Sequence, residues 1–389
     1  MTTSVAVSTS TNRLLTPEFW TLGTATAAYF LGVGVLNALL PRYVVDELGG
    51  TEATSGFVMG SMAISALLCR PWFGRLADRR GARVVLMIGA CLACVSVLVL
   101  AAFPSLVGAV ASRLVMGGAG GAMITGAMTL SMDIAPESRR SQAGSYILIS
   151  FHVGLGIGPL LGEFVLGRSD YRSVWLAVGG LVLVSCAVSS FLPRRAGVHD
   201  DQMAPTPLVF RAAIAPGLVT LFGVFAFNGL LQFAPLYGRE VGLKDVGLVF
   251  TVASLTIVVV RLFFGGVPDV VGPVRAGSWA LVLTAFAATV VALWATPAGL
   301  YVGAALLACG LSLQSPSFMA LAVEGVSDRE RGAALATYTG FFDIANAIIG
   351  PAIGMIVVGF DYRVAFLTAG AMSLVALAIL RLVIAPQRT

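Results

Sequence analysis

Charged residues are scarce in this chain. Only 11% of its 389 residues are Asp, Glu, Lys or Arg, and 58% are hydrophobic. A soluble globular protein is about 25% charged and about 45–50% apolar, so this chain has too few polar groups to cover a surface in water. The composition excludes a cytosolic enzyme, a secreted domain and a disordered protein.

Residues that carry catalysis or bind metals are also few. The chain has two histidines and five cysteines, and all five cysteines, including the Cys91-x-x-Cys94 pair, lie within apolar stretches. A thiol there lacks the access and the polar partners that redox or zinc chemistry needs. The sequence has no P-loop for ATP and no long basic run that would bind nucleic acid. We therefore expect no enzyme activity, no metal, no cofactor and no nucleic-acid partner.

Long apolar runs are what the sequence has in abundance. A membrane-spanning helix takes about 20 apolar residues. Twelve runs of suitable length lie between charged, Pro or Gly breaks: 18–41, 52–72, 84–103, 106–131, 142–166, 173–192, 212–236, 246–267, 276–296, 298–322, 332–357 and 363–384. We predict an all-α integral membrane protein of twelve transmembrane helices in the lipid bilayer. Its predicted parts are an N-terminal six-helix bundle (1–192), a cytoplasmic linker (193–211) and a C-terminal six-helix bundle (212–389).

The basic residues predict the orientation of these spans. If the chain starts on the cytoplasmic side, fifteen Lys and Arg residues fall on that side and six on the other. Cytoplasmic loops carry the excess of positive charge in membrane proteins. We therefore predict that both termini are cytoplasmic.

The two halves of the sequence repeat each other at an offset of 191 residues. Shared apolarity cannot explain the match, because the aligned positions are polar or glycine. They are Asn37 with Asn228, Arg70 with Arg261, Asp78 with Asp269, Gly81 with Gly272, Asp133 with Glu324, and Asp170 with Asp361. Parallel six-span repeats are a transporter architecture in which the substrate site lies between the halves near the middle of the membrane.

The segment Gly74–Arg83 carries a resemblance to a known family. Its residues, GRLADRRGAR, resemble the G-x-x-x-D-R-x-G-x-R signature between spans 2 and 3 of the major facilitator superfamily. The second half keeps Asp269 and Gly272 of this signature but has Val270 in place of its arginine. A degenerate second copy is usual for that family.

Two further motifs are similar to motifs of the same family. Arg113-x-x-x-Gly117 resembles its span-4 arginine motif, and a span-5 motif associated with export by antiport is matched by Gly154, Gly158, Pro159 and Gly162. The span-5 match departs at Glu163, where the family usually has glycine. The resemblance covers the whole chain and implies a transporter like the twelve-span drug/proton antiporters and the sugar or metabolite efflux permeases of bacteria.

The resemblance also implies a gate on the cytoplasmic side. In the family the signature acid, here Asp78, caps span 11 across the seam between the halves. We expect Gly74 and Gly81 to form tight turns and Asp133 to pair with Arg79 or Arg83. The counterparts in the second half are Asp269 and Glu324. Ordinary surface charge is the alternative interpretation of these residues.

Ionisable residues inside membrane spans are rare and usually functional. Asp343 and His152 are related by the 191-residue offset, and both lie about ten residues into their spans. We predict that Asp343 carries the proton; the alternative is a fixed Arg70–Asp343 pair that only locks the helices. His152 either titrates or makes a structural hydrogen bond.

Two more ionisable residues are candidates for proton coupling. Arg113 lies in span 4, and its alternative role is a structural hydrogen-bonding hub. Glu163 lies toward the outer end of span 5; its alternative roles are a pair with Arg168 or a side chain that snorkels to the membrane interface.

The repeat also predicts a substrate cavity. Asn37 and Asn228 occupy matching positions on spans 1 and 7, and Gln232 lies one turn beyond Asn228 on the same face. A mostly apolar site with a few hydrogen-bonding groups is typical of ligand pockets. The remaining candidates are Gln314 and the aromatic residues Tyr29, Phe30, Phe225, Tyr338, Phe341 and Phe342, which could instead pack or face lipid.

These features predict a monomeric secondary transporter of the bacterial cytoplasmic (inner) membrane. Its expected partners are protons and a small organic substrate, exported by antiport and alternating access, as in multidrug efflux. Proton-coupled uptake of a metabolite is the main alternative, and a membrane solute sensor is a minor one.

Overall fold

The computed structural model describes residues 14–136, 139–194, 210–327 and 330–388. The N-terminal half contains α1 (Pro17–Asp46), α2 (Glu52–Arg80), α3 (Ala82–Ala102), α4 (Leu106–Ile134), α5 (Arg140–Leu166) and α6 (Tyr171–Ser189). The C-terminal half contains α7 (Arg211–Gly223), α8 (Phe225–Glu240), α9 (Gly247–Phe264), α10 (Val267–Val271), α11 (Pro273–Leu293), α12 (Pro297–Val323), α13 (Arg331–Gly359) and α14 (Tyr362–Ile379). The described residues form no β-strand.

Twelve helical segments of the described chain are long and apolar enough to cross a membrane, which confirms the predicted all-α fold of twelve spans. Helices α7 and α8 meet at Val224 and form one of these spans, Arg211–Glu240. Twelve crossings bring the chain back to where it began, so both ends of the described chain lie on one side, called here the terminal side. Most of the linker predicted at 193–211 lies outside the described residues, as do Arg13, Arg195 and Arg329, three of the basic residues counted for the orientation.

The caps of four helices repeat at the offset found in the sequence. Ser105 caps α4 and Thr296 caps α12, each by accepting a backbone N–H three residues ahead, at 3.1 and 3.2 Å. Asp170 caps α6 and Asp361 caps α14 in the same way, at 2.9 and 2.7 Å. Each side-chain oxygen satisfies a backbone donor that the first turn of a helix leaves unpaired. The two halves therefore share local structure as well as sequence.

The connection between α2 and α3 is shorter than the sequence predicts. Gly81 alone forms the turn, with φ 88° and ψ 151°, and Gly272 repeats it with φ 87° and ψ 145°. Only glycine adopts this backbone region at low cost, so the predicted turn at Gly81 is confirmed. The predicted turn at Gly74 is wrong, because α2 continues to Arg80 through residues that favour a helix.

The two bundles meet along two seams, α2 against α13 and α5 against α9. In the first seam a Cβ atom added to Gly56 would overlap the backbone of Gly350, and one added to Gly350 would overlap that of Gly56. In the second seam the Thr251 hydroxyl donates to the Gly156 carbonyl at 2.7 Å. Small residues let helix backbones approach closely in a membrane, and here they bring the bundles together around a central cavity.

Candidate functional site

A cavity of about 220 Å³ lies between the two bundles. Helices α1, α2, α4 and α5 line it from the N-terminal bundle, and α8 and α13 line it from the C-terminal bundle. Most of the lining is apolar, and the polar or charged lining residues are Asn37, Arg70, Arg113, Asn228, Gln232, Asp343 and Asn346. Six of these seven belong to the predicted site. Their position between the bundles fits the site of a transporter that works by alternating access.

Arg70 and Asp343 form an ion pair between α2 and α13. Nη2 of Arg70 donates to Oδ1 of Asp343 at 3.2 Å, and Nη1 lies 3.1 Å from Oδ2. The Asp343 side chain is 8% exposed, whereas that of Arg70 is 30% exposed. The Arg70–Asp343 pair considered as the alternative is thus formed, and the proton-carrying role of Asp343 stays a prediction. This pair links the two bundles through side chains that also line the cavity.

The other seam holds the counterpart of this pair. His152 on α5 is buried, and the edge of its ring packs against Phe151 at 4.9 Å between centroids. It forms no hydrogen bond with any described residue, so the structural hydrogen bond considered for it is not formed. Arg261 lies on α9, the helix that packs against α5 in this seam. The 191-residue offset therefore maps Arg70 and Asp343 onto Arg261 and His152.

Arg113 is a buried cation on the cavity wall. Its side chain is 2% exposed, and its Nη2 donates to Oδ1 of Asn37 at 3.1 Å and to Sδ of Met59 at 3.2 Å. Its Nε and Nη1 have no hydrogen-bond partner, and no acidic side chain in the described ranges pairs with it. Met59 is a lining residue that the sequence reading missed.

Amides line the C-terminal half of the cavity. Nδ2 of Asn228 donates to Oδ1 of Asn346 at 3.0 Å, and Nδ2 of Asn346 donates to the Phe342 carbonyl at 2.9 Å. Oε1 of Gln232 is buried without a partner. The sequence reading missed Asn346, although its position three residues after Asp343 on one helix places the two side chains on the same face.

Several predicted lining residues lie elsewhere in the molecule. Gln314 is buried between α12 and α11, where its Nε2 donates to Thr284 at 2.7 Å. Tyr29 is fully buried and contacts Sδ of Met116 inside the N-terminal bundle. Among the predicted aromatic residues, Phe30 lines the cavity, whereas Tyr29, Phe225, Tyr338, Phe341 and Phe342 do not. Helices that are apolar on every face give no sequence signal for the face that meets a cavity.

The side opposite the terminal side is closed by polar contacts between the bundles. Arg42 of α1 donates from Nε to the Pro235 carbonyl at 3.0 Å and from Nη2 to the Lys244 carbonyl at 3.4 Å. Its Nη1 lies 3.5 Å from Oε1 of Glu163, which also accepts the Val246 N–H at 2.7 Å. Four polar interactions therefore converge on two buried side chains of the N-terminal bundle.

The pair with Arg168, one alternative considered for Glu163, is not formed. Arg168 instead donates to the Phe164 carbonyl and lies over the Phe164 ring, 3.6 Å from its centroid. Glu163 turns toward Arg42 because the buried guanidinium and the Val246 N–H offer it charge-assisted hydrogen bonds away from water.

The glycines of the span-5 motif face α1. Cβ atoms added to Gly154, Gly158 or Gly162 would crowd residues of α1 between Phe30 and Leu39, and the Pro159 ring packs near Gly34. The motif therefore lets α5 and α1 pack closely within the N-terminal bundle, beside the cavity.

The predicted gate residues lie on the terminal side. Asp78 is exposed and forms no hydrogen bond or ion pair with the described part of the chain. The predicted cap of α13 by Asp78 is therefore not formed in this conformation. Arg83 donates to the Ser190 carbonyl.

The remaining gate candidates occupy helix ends on the same side. Asp133 lies in the last turn of α4, Asp269 in α10, and Glu324 directly after α12. The pairing of Asp133 with Arg79 or Arg83 stays a prediction.

Comparisons with known proteins agree with this architecture. The profile of the Major Facilitator Superfamily matches residues 22–245 and 241–389. An uncharacterized MFS-type transporter of Salmonella typhimurium is 27% identical over 377 residues, which are 94% of this chain and 96% of that protein. Another from Burkholderia pseudomallei is 29% identical over 355 residues, 87% of this chain and 85% of that protein.

Solved structures of transporters have the same fold. The nucleoside transporter NupG superposes with a TM-score of 0.78 at 15% identity, covering 94% of this chain and 99% of its own. The human organic anion transporter MFSD10 superposes with a TM-score of 0.70 at 18% identity, covering 94% and 100%. At these identities the likeness shows the fold alone.

Proposed function

Because this chain belongs to the Major Facilitator Superfamily of membrane transporters, we propose that it exports small organic molecules in exchange for protons. The observation that carries the proposal is the ion pair of Arg70 and Asp343, which joins the two bundles at the wall of the cavity. In this proposal an ionisable acid lies where the substrate binds and where the bundles move.

The position of this pair supports proton coupling. Alternating access rocks one bundle against the other, so the contact between α2 and α13 is remade during the cycle. When Arg70 moves away, Asp343 is left as a buried acid without a partner, which is costly in its charged form. A proton neutralises it, and the return of Arg70 displaces that proton. Substrate and proton are then coupled if each favours a different arrangement of the pair.

The closed side supports loading from the cytoplasm. Arg42 and Glu163 hold together the side opposite the chain termini, and the positive-inside rule assigns the terminal side to the cytoplasm. In this proposal the conformation is inward-facing, and the absent Asp78 contact corresponds to an open cytoplasmic gate. The protein is a monomer of the bacterial inner membrane.

Uptake by proton symport is the second candidate. The observation that favours it is Glu163, which replaces the final glycine of the export-associated span-5 motif. The same Arg70–Asp343 switch serves symport if substrate and proton favour the same arrangement of the pair instead of opposite ones.

Inside-out vesicles with an acidified lumen test the proposal. A panel of neutral, cationic and anionic compounds is added while a pH-sensitive dye reports the lumen. An exporter accumulates at least one compound and releases lumenal protons as it does so. Asp343→Asn should abolish both signals while downhill exchange persists.

The matched control is Asp170→Asn, which removes an exposed acid and keeps a residue that caps helices well. It should behave like the wild-type protein. Accumulation only in right-side-out vesicles with an acidic exterior would establish symport. Unchanged proton-driven transport in Asp343→Asn would contradict the assigned role of Asp343.

A further inference from the structure

We infer that the substrate is a small organic monoanion and that Arg113 binds its carboxylate. This inference rests on the transport function proposed above and adds the chemical class of the transported molecule.

The charges on the cavity wall do not cancel. Three ionisable side chains line the cavity among the described residues: Arg70, Arg113 and Asp343. Arg70 neutralises Asp343, and no acidic side chain among the described residues neutralises Arg113. A buried cation without a counter-ion is costly. One negative charge on the substrate is the complement that this wall lacks.

The guanidinium of Arg113 also has unused donors. Its Nε and Nη1 make no hydrogen bond, and one of its Nη2 contacts is to the Met59 sulfur at 3.2 Å. A thioether is a weak acceptor, whereas a carboxylate accepts two parallel bonds from the planar fork of an arginine. Met59 has an unbranched, flexible side chain, so it can give way when the anion binds.

Asn37 holds the guanidinium in place for this contact. Its Oδ1 accepts from Nη2 at 3.1 Å, and the side chain lies on α1, across the N-terminal bundle from Arg113 on α4. The anion therefore meets a fork whose orientation is already fixed. Preorganised donors lose less entropy when the ligand binds.

The remaining lining of the cavity indicates the size and polarity of the rest of the substrate. Phe30, Ile124 and Leu155 give it apolar walls, and its volume of about 220 Å³ suits a small molecule. Asn228 and Gln232 add amide groups to the lining, so a hydroxyl or N–H on the substrate is compatible with this wall. A cation would be repelled by Arg113, and a polyanion would find only one uncompensated positive charge.

Isosteric probes test the charge requirement on the wild-type protein. The full chain is purified in detergent at neutral pH, where simple carboxylic acids are ionised. Binding is measured by thermal shift and by displacement for benzoate, neutral benzamide and cationic benzylamine, and for the graded series acetate, butyrate and hexanoate. We expect a carboxylate to bind roughly tenfold or more tightly than its amide. A hydrogen bond to a charged group stabilises more than a neutral one, by an amount that corresponds to about tenfold in affinity.

Variants locate the anion. Arg113→Gln should weaken carboxylate binding roughly tenfold to hundredfold, and Arg113→Lys should recover part of it because the charge returns without the fork. Arg168→Gln is the matched control: it removes a cation that lies over the Phe164 ring at the end of α5, and it should bind like the wild type. If Arg113→Gln does not fold, the isostere comparison and Arg113→Lys still decide.

The outcomes separate this inference from the proposed function. Equal binding of benzoate and benzamide, a preference for benzylamine, no binding of any carboxylate, or unchanged carboxylate binding in Arg113→Gln each overturns the anion assignment. Proton-coupled transport of a neutral or cationic compound in the vesicle assay would overturn it as well and leave the proposed function standing. Carboxylate binding without any proton-coupled flux would overturn the proposed function and leave the anion assignment standing.

Discussion

The buried guanidinium of Arg42 lies 3.5 Å from the Glu163 carboxylate, and both side chains hold backbone groups of the opposite bundle. The pair itself lies within the N-terminal bundle, between α1 and α5. Its contacts with the C-terminal bundle run through the Pro235 and Lys244 carbonyls and the Val246 N–H. The loss of either charge leaves the other buried and uncompensated, so the seal on this side depends on both.

Glu163→Gln should therefore open this side more often. In a cysteine-free background, Ala63→Cys places a reporter on the cavity wall, and a membrane-impermeant maleimide is added outside intact cells. We expect labelling to accelerate several-fold to about tenfold, which corresponds to the loss of about one charge-assisted hydrogen bond. The control Arg168→Gln should label like the parent. Equal labelling in Glu163→Gln would show that the seal does not depend on the carboxylate.

Gly56→Ala should disturb the α2–α13 seam. The added methyl group would overlap the Gly350 backbone, and overpacking of this kind costs about 1–3 kcal/mol. We expect a lower melting temperature and faster labelling of the same cavity cysteine from outside. Gly180→Ala is the matched control, since nothing lies within 4 Å of a Cβ atom at that helical position. Similar behaviour of the two variants would contradict the tight seam.

Much of the fold follows from the sequence because the lipid bilayer imposes length and apolarity on every span. The spans, the repeat and the turn at Gly81 are all visible in it. The turn predicted at Gly74 fails for a local reason: a helix continues through glycine at a modest cost, and the next residue that demands a left-handed backbone is Gly81.

Alanine substitutions separate these two glycines. Gly81→Ala forces a side chain into a backbone region that only glycine tolerates, at a cost of about 1–3 kcal/mol, and should lower the yield and melting temperature of folded protein. Gly272→Ala should do the same in the second half. Gly74→Ala should be neutral or stabilising, by up to about 1 kcal/mol, because no atom lies within 4 Å of the added Cβ. Equal destabilisation at Gly74 and Gly81 would contradict the single-residue turn.

The site was less predictable than the fold. Ionisable residues are rare in membrane spans, so Arg70, Arg113 and Asp343 can be identified as site candidates from the sequence. Their partners are set by tertiary packing: Glu163 lies next to Arg42, a residue distant in sequence, rather than near Arg168. Apolar lining residues such as Met59 carry no signal at all, because a cavity wall and a packed helix contact use the same side chains.

The last prediction concerns the coupling between Arg70 and Asp343. Arg70→Gln leaves a buried acid unpaired, Asp343→Asn leaves an arginine unpaired, and the double variant leaves neither. In a double-mutant cycle on melting stability we expect a coupling energy of about 1–3 kcal/mol. The stability losses of the two single variants should add up to more than the loss in the double variant. Arg70→Gln should also change the pH dependence of vesicle transport, since Asp343 then protonates without competition from a guanidinium.

The matched cycle at Arg239 and Asp46, an ion pair of 2.6 Å at the closed side, should show coupling in stability and no change in the pH profile. Additive effects of Arg70→Gln and Asp343→Asn, together with unchanged pH profiles, would show that the two side chains act independently.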